Sequence, residues 1–399
     1  MGGAYTLRFA MGSLPAPLLV LLLAAAAAAL SAPLTALLVR LGHRAGALDS
    51  AGTVGHAKVL RRVPNIGGVS IAATVALPLL AVVVAGHAVG AERLAEWFPA
   101  LAASARRLPD VLPQATVILL GVVALHLTGL FDDRRALPWL PKLAVQVAVA
   151  AGTALLGNLR VLHFIDASVG GPWLGILVSV AWIVVLVNAI NFLDNMDGLA
   201  GGVAFVAAVS LAVAAAVAEQ WMTAGLLAVL AGALFGFLAF NFPWRAGQTA
   251  RIFMGDGGSL VVGYLLAVLA MAIVFTAPGR PGYALGTHAY GVFAPLVILA
   301  VPLYDACTVT LLRWSQGRSP MVGDQQHFSH RLVLRGLTKR GAVLLICALA
   351  AVCGVSGLLL GSAAPWQAAL IAAQVAVVLG TIAALERPQL RAMRDEGAR

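Results

Sequence analysis

Runs of about 20 apolar residues recur along the chain, each long enough to cross a bilayer core as a helix. Backbone amides have no water partner in lipid, so such runs must be helices or strands of a closed barrel. Their hydrophobicity is continuous rather than alternating, which selects helices. With 61% hydrophobic residues in 399, the chain reads as one all-α polytopic membrane domain over 1–399. Abundant Ala and Gly allow its helices to pack closely.

Eleven spans are expected, near 14–40, 67–87, 113–131, 138–157, 173–190, 198–217, 221–241, 257–277, 289–312, 341–361 and 366–385. The loop 88–112 mixes apolar and charged residues and has room for a short interfacial helix. "LSA" before Pro33 resembles a signal-peptide cleavage site, but the apolar run continues to Val39, too long for a signal sequence, so a retained helix is expected. Arg40, Arg44, Lys58, Arg61 and Arg62 follow that run, against Arg8 before it. The positive-inside rule then puts the N-terminus outside and the C-terminal tail, 386–399, in the cytoplasm. Of the 26 Lys and Arg, 20 fall on the cytoplasmic side in this topology. The net charge of +10 therefore marks orientation and does not call for nucleic acid. Cys307, Cys347 and Cys353 lie in apolar spans without metal-ligand spacing.

Asp49, Asp132, Asp133, Asp194, Asp197, Asp256 and Asp324 all map to cytoplasmic span ends, although distant in sequence. In "LFDDRRALPWLPK", adjacent Asp132 and Asp133 repel and need a cation or a shared proton. They either form a solvated turn balanced by Arg134 and Arg135, or approach Mg²⁺, whose hard oxygen shell takes one or two carboxylates and leaves room for water and phosphate. In "NAINFLDNMDGLAGG", a helix continued past Ile190 would align Asn188, Asn191 and Asn195 on one face, with Asp194 and Asp197 beside it. "ARIFMGDGGSL" puts Asp256 and two glycines where the next span begins, a place suited to capping or to phosphate.

"RWSQGRSPMVGDQQHFSHRL" supplies Arg313, Arg318, Asp324, His327, His330 and Arg331. Arg and His beside aspartates fit phosphate better than zinc, because no Cys accompanies the two histidines. Asp305 lies about 12 Å inside the span end at 1.5 Å per residue. Facing lipid it would cost about 2.5–3.5 kcal/mol, so it should face the bundle interior or a cavity.

Together these motifs resemble the polyprenyl-phosphate N-acetylhexosamine-1-phosphate transferases, grouped in glycosyltransferase family 4. The resemblance runs from about 46 to 337 and rests on five stretches in family order: "RRVPNIGGV", the "DD…LP…PK" segment, "NAINFLDNMDGLAGG", "RIFMGDGGSL" and "GRSPMVGDQQHFSHRL". "DQQHFSHRL" is similar to the WecA/TagO-like branch, which uses UDP-N-acetylglucosamine or a related UDP-HexNAc, more than to the muramoyl-pentapeptide branch related to MraY. The chain departs from the commoner pattern twice: Asn195 follows Asp194 where Gly is common, and Ser329 stands where a histidine is common.

The resemblance implies transfer of a HexNAc 1-phosphate from a UDP-sugar to undecaprenyl or another polyprenyl phosphate at a bacterial inner membrane, with Mg²⁺ or Mn²⁺. It assigns metal or diphosphate contacts to Asp256, Asn191 and Asp194. It gives the lipid phosphate to Asp132 or Asp133 with Lys142, the uridine to Asp197 and Phe253, and phosphates or sugar to Arg318, His327, His330 and Arg331. Asn188 joins the substrate-binding wall, and a homodimer stays open. The rival classes are an ion-coupled transporter, which would want ionisable groups near the midplane, and a non-catalytic scaffold.

Overall fold

Apolar runs with few charges dictate the architecture, and among the described residues the regular elements are all helices. The computed structural model describes residues 15–46, 63–99, 102–162, 166–273, 289–317 and 327–397. Helix α1 spans Ala16–Ala45 and ends on Gly46, whose left-handed φ of 65° lets its N–H reach the Gly42 carbonyl. α2 is Gly68–Ala88, followed by the short helices α3, Ala91–Trp97, and α4, Ala102–Ala105, in the loop expected to hold one. Then come α5, Leu108–Arg134; α6, Trp139–Leu155; α7, Trp173–Leu193; α8, Leu199–Val217; and α9, Trp221–Asn241. α10, Asp256–Ala272, precedes α11, Ala294–Ile298, and α12, Ala300–Ser315. The chain closes with α13, Phe328–Leu334; α14, Lys339–Leu360; and α15, Pro365–Gly397, which runs on from the last span into the tail.

Among the described residues, eight helices are long and apolar enough to cross a membrane: α1, α2, α5, α7, α8, α9, α14 and the apolar part of α15. α6 and α10 have 17 residues each, about 26 Å of helix at 1.5 Å per residue. The span expected over 289–312 is not one straight helix. A 3₁₀ turn at Ala289–Phe293 leads into α11, and the two halves of this segment meet at 72°. Pro302 explains the break, since it brings no N–H to the Ile298 carbonyl four residues earlier.

α10 is the core of the bundle, with 14 of its 17 residues buried. It is apolar on every side because α2, α5 and α7 surround it. α1 and α9 pack on the flank, where Ser31 Oγ donates to the Ala233 carbonyl at 2.7 Å. The N-terminus of α10 thus meets the C-termini of α5 and α7.

Candidate active site

Glycines bring these helix ends together. A Cβ on Gly68 would stand 2.2 Å from the Gly258 nitrogen, and one on Gly129 would stand 2.4 Å from the Asp256 carbonyl oxygen. Only glycine lets α2 and α5 approach the α10 backbone this closely. The 64–68 stretch runs beside 253–254: Phe253 N donates to the Pro64 carbonyl at 2.8 Å, Gly67 N to the Phe253 carbonyl at 2.9 Å, and Gly68 N to the Met254 carbonyl at 2.8 Å. Gly255, at φ 69°, turns the chain into α10.

The two adjacent carboxylates of α5 diverge. Asp133 Oδ1 accepts from the Asp256 N–H at 3.0 Å and Oδ2 from the Gly257 N–H at 3.1 Å, while Asn65 Nδ2 donates to Oδ1 at 2.9 Å. Asp133 therefore caps α10 from another helix, meeting backbone donors that no residue of α10 satisfies. Asp256 is the first helical residue and does not cap α10 itself. Asp132 turns the other way: its Oδ1 accepts from Leu137 N at 2.6 Å and its Oδ2 from Lys142 Nζ at 3.0 Å. The same ammonium donates to Asp256 Oδ2. Asn191 Nδ2 donates to Asp256 Oδ1 and to Ser259 Oγ, both at 2.9 Å. The Asp132–Asp133 pair is thus a divided device, one carboxylate structural and the other facing Lys142, where a turn balanced by Arg134 and Arg135 was the simpler expectation.

α7 ends at Leu193, so Asn195 does not extend a helical face with Asn188 and Asn191. Asn188 turns to α6, donating to Gln146 Oε1 at 2.6 Å and to its own helix at Val184. These bonds tie it to α6 and to its own helix. Asp194 terminates α7, with its N–H on the Asn191 carbonyl at 3.2 Å. Asp197 Oδ2 accepts from Ala250 N at 3.0 Å, joining this turn to the segment before α10. Asn241 locks the junction: its Oδ1 accepts from Gly198 N and its Nδ2 donates to the Ile252 carbonyl, both at 2.9 Å. Asn65, Gln146, Asn241 and Ser259 were not foreseen. Asn65 stood inside a quoted motif, and Asn241 at a span end, where a lone polar residue was the available signal.

A second wall comes from α12 and α13. Asp305 is fully buried, as its depth required, and its Oδ2 lies 2.8 Å from His327 Nδ1 while Oδ1 accepts from Phe328 N at 3.1 Å. It caps α13 and fixes the His327 ring. That ring meets Phe192 edge-on at 6.3 Å, and the Arg313 guanidinium lies 5.2 Å from the Phe192 centroid. Arg331 is buried, and His330 is half-buried. Burial, then the neighbouring His327 and Lys339, depress the proton affinity of His330 below its ordinary value. Arg318, Asp324 and Asp49 lie outside the described residues.

Do these groups suit a divalent cation? Among the described residues, no three His, Cys, Asp or Glu side chains group as a metal shell. Asp132 and Asp256 nevertheless converge on one cationic position, filled by the Lys142 ammonium, with the Asn191 amide alongside. One or two carboxylates completed by phosphate and water is the usual Mg²⁺ arrangement, so the donor set fits.

The sequence model of glycosyl transferase family 4 matches residues 115–274. Over 260 residues the chain is 30% identical to the probable undecaprenyl-phosphate N-acetylglucosaminyl 1-phosphate transferase of Bacillus subtilis (strain 168), covering 64% of this chain and 68% of that protein. The chain belongs to glycosyl transferase family 4. It is 35% identical over 241 residues to the decaprenyl-phosphate N-acetylglucosaminephosphotransferase of Mycolicibacterium smegmatis, covering 55% of this chain and 56% of that one. It is 28% identical over 253 residues to the undecaprenyl-phosphate alpha-N-acetylglucosaminyl 1-phosphate transferase of Escherichia coli (strain K12), covering 62% and 66%. Against the last two, the matched part is less than two thirds of the relative. The stretch matched by the family 4 model holds the whole Asp132–Lys142–Asp256–Asn191 cluster, whereas α12 and α13 lie beyond it.

Proposed function

We propose that the chain transfers N-acetylglucosamine 1-phosphate, or a close HexNAc equivalent, from its UDP-sugar to a polyprenyl phosphate and releases UMP. The supporting observation is the cluster at the α10 N-terminus, where Lys142 lies between Asp132 and Asp256 with Asn191 on the other Asp256 oxygen. The relatives' names favour N-acetylglucosamine over a muramoyl-pentapeptide. On the expected topology the cluster faces the cytoplasm, where UDP-sugars are made.

Two anions must meet, so the barrier is largely repulsion and alignment. Asp256 and Asn191, with Asp194 nearby in sequence, would hold Mg²⁺, which when bound neutralises charge on the diphosphate. Lys142 draws in and orients the lipid phosphate. Asp132, with Asp133 committed to the α10 backbone, is the carboxylate placed to take or position its proton. A lipid phosphate oxygen attacks the sugar-bearing phosphorus of the UDP-sugar; the new P–O bond forms as the bond to UMP breaks. The lipid phosphate is already an anionic nucleophile, so a single displacement suffices, without an aspartyl intermediate. His327, His330 and Arg331 bind the donor's phosphates or sugar, and Phe253 stacks on the uracil beside Asp197.

Purified protein incubated with undecaprenyl phosphate, Mg²⁺ and a panel of UDP-sugars tests this through UMP release. UMP should appear with UDP-N-acetylglucosamine or one related HexNAc donor. Folded protein that releases none with any donor would overturn the proposal.

A further inference from the structure

Asn195 and Ser329 are 134 residues apart in sequence and touch. Ser329 Oγ donates to Asn195 Oδ1 at 2.7 Å. Ser329 is fully buried and Asn195 half-buried, so this bond is partly shielded from solvent. Asn195 Nδ2 is held by the Phe192 carbonyl at 2.8 Å, and the His330 ring is hydrogen-bonded to the Asn195 backbone. The pair therefore ties the turn between α7 and α8, which carries Asp194 and Asp197, to α13, which carries His330 and Arg331 and starts after His327.

We propose that Asn195 and Ser329 are one positioning pair that sets the gap between the acidic turn and the basic helix, and so the fit of the diphosphate-sugar donor. The inference rests on the transferase reading above. The opposed walls carry opposite charge, and a diphosphate with its cation must fit between them. A change of side-chain volume at either position shifts α13 relative to the turn. Ser329 is fully buried with the Asn195 side chain 2.7 Å from its hydroxyl, so a larger residue at 329 must displace that side chain, and removing it relieves the contact. The recorded bonds of Asp132 and Lys142 run to Asp256 and Leu137 and do not involve this pair, so the lipid phosphate should not sense it.

The test is a double-variant cycle on the full chain in detergent, reading UDP-N-acetylglucosamine binding by calorimetry and KM for donor and lipid by UMP release. Asn195→Ala and Ser329→Ala should each weaken donor binding and raise donor KM about fivefold, the size of one part-buried hydrogen bond. The lipid-phosphate KM should stay unchanged, and the double alanine variant should be no worse than the poorer single one. Ser329→His alone should be worse than either alanine, and Asn195→Gly with Ser329→His should recover to within about threefold of the parent, where released strain offsets the lost bond. Multiplying effects, equal changes in both KM values, or no recovery in the Gly/His variant would each overturn the pair while leaving the transferase reading intact. A parent protein that neither binds the donor nor releases UMP would overturn both.

Discussion

Asp133 on α5 receives the first two backbone N–H groups of α10, those of Asp256 and Gly257, at 3.0 and 3.1 Å. Its neighbour Asp132 bonds instead to Leu137 N and Lys142. Adjacent residues thus hold different offices, one building the site and one facing it.

Asp133→Ala should therefore lower thermal stability, by about 1–2 kcal/mol for a lost helix cap, and reduce UMP release along with it. Asp132→Asn should leave the melting temperature within a few degrees of the parent but cut turnover on the order of a hundredfold or more. Thermal melts beside UMP assays separate the two. A reversed pattern, with Asp132→Asn the unstable variant, would contradict the division.

Asp256→Asn keeps the side chain's shape and its place after Gly255, while removing one of the two negative charges beside Lys142. UMP release should fall by at least about a hundredfold, the scale of losing a major electrostatic contributor, with insertion and folding retained. Near-normal turnover in a folded variant would remove Asp256 from the metal and diphosphate role.

Much of this site could be read from sequence, because a carboxylate is costly in lipid and so marks a span end or an interior contact. Asp305 followed that logic, and its depth foretold its burial. The split between Asp132 and Asp133 could not be read, since adjacent side chains share every local signal and only the approach of α10 separates them. Asn195 was misplaced for a related reason. Its spacing continues the Asn188–Asn191 face, but the Asp194 backbone, at ψ 49°, leaves the helix first. Its contact with Ser329 bridges 134 residues, beyond any periodicity. The bend before α12 did have a signal, Pro302, which the continuous apolar run obscured.

Lys142 offers a test of the cation site that does not depend on turnover. Lys142→Met leaves Asp132 and Asp256 facing each other without the ammonium. The loss should be on the order of 2 kcal/mol, below that of a fully buried pair because solvent still reaches all three groups. Millimolar Mg²⁺ should then raise the variant's melting temperature more than the parent's, since a divalent cation can take the vacated position. Equal shifts in the two proteins would argue against metal binding there.

His330 predicts a pH effect whose sign follows from its surroundings. Burial, with His327 and Lys339 nearby, outweighs the raising influence of Asp305 and the Asn195 backbone, and holds the ring below its ordinary value of 6.5. The folded protein thus favours neutral His330, while the unfolded chain takes up a proton as pH drops through about 6.5. The stabilising contribution is present above that value and lost as pH falls toward the depressed folded value. His330→Gln should flatten the fall in melting temperature between about pH 7 and 5. Parallel curves for parent and variant would show that another group carries the acid sensitivity.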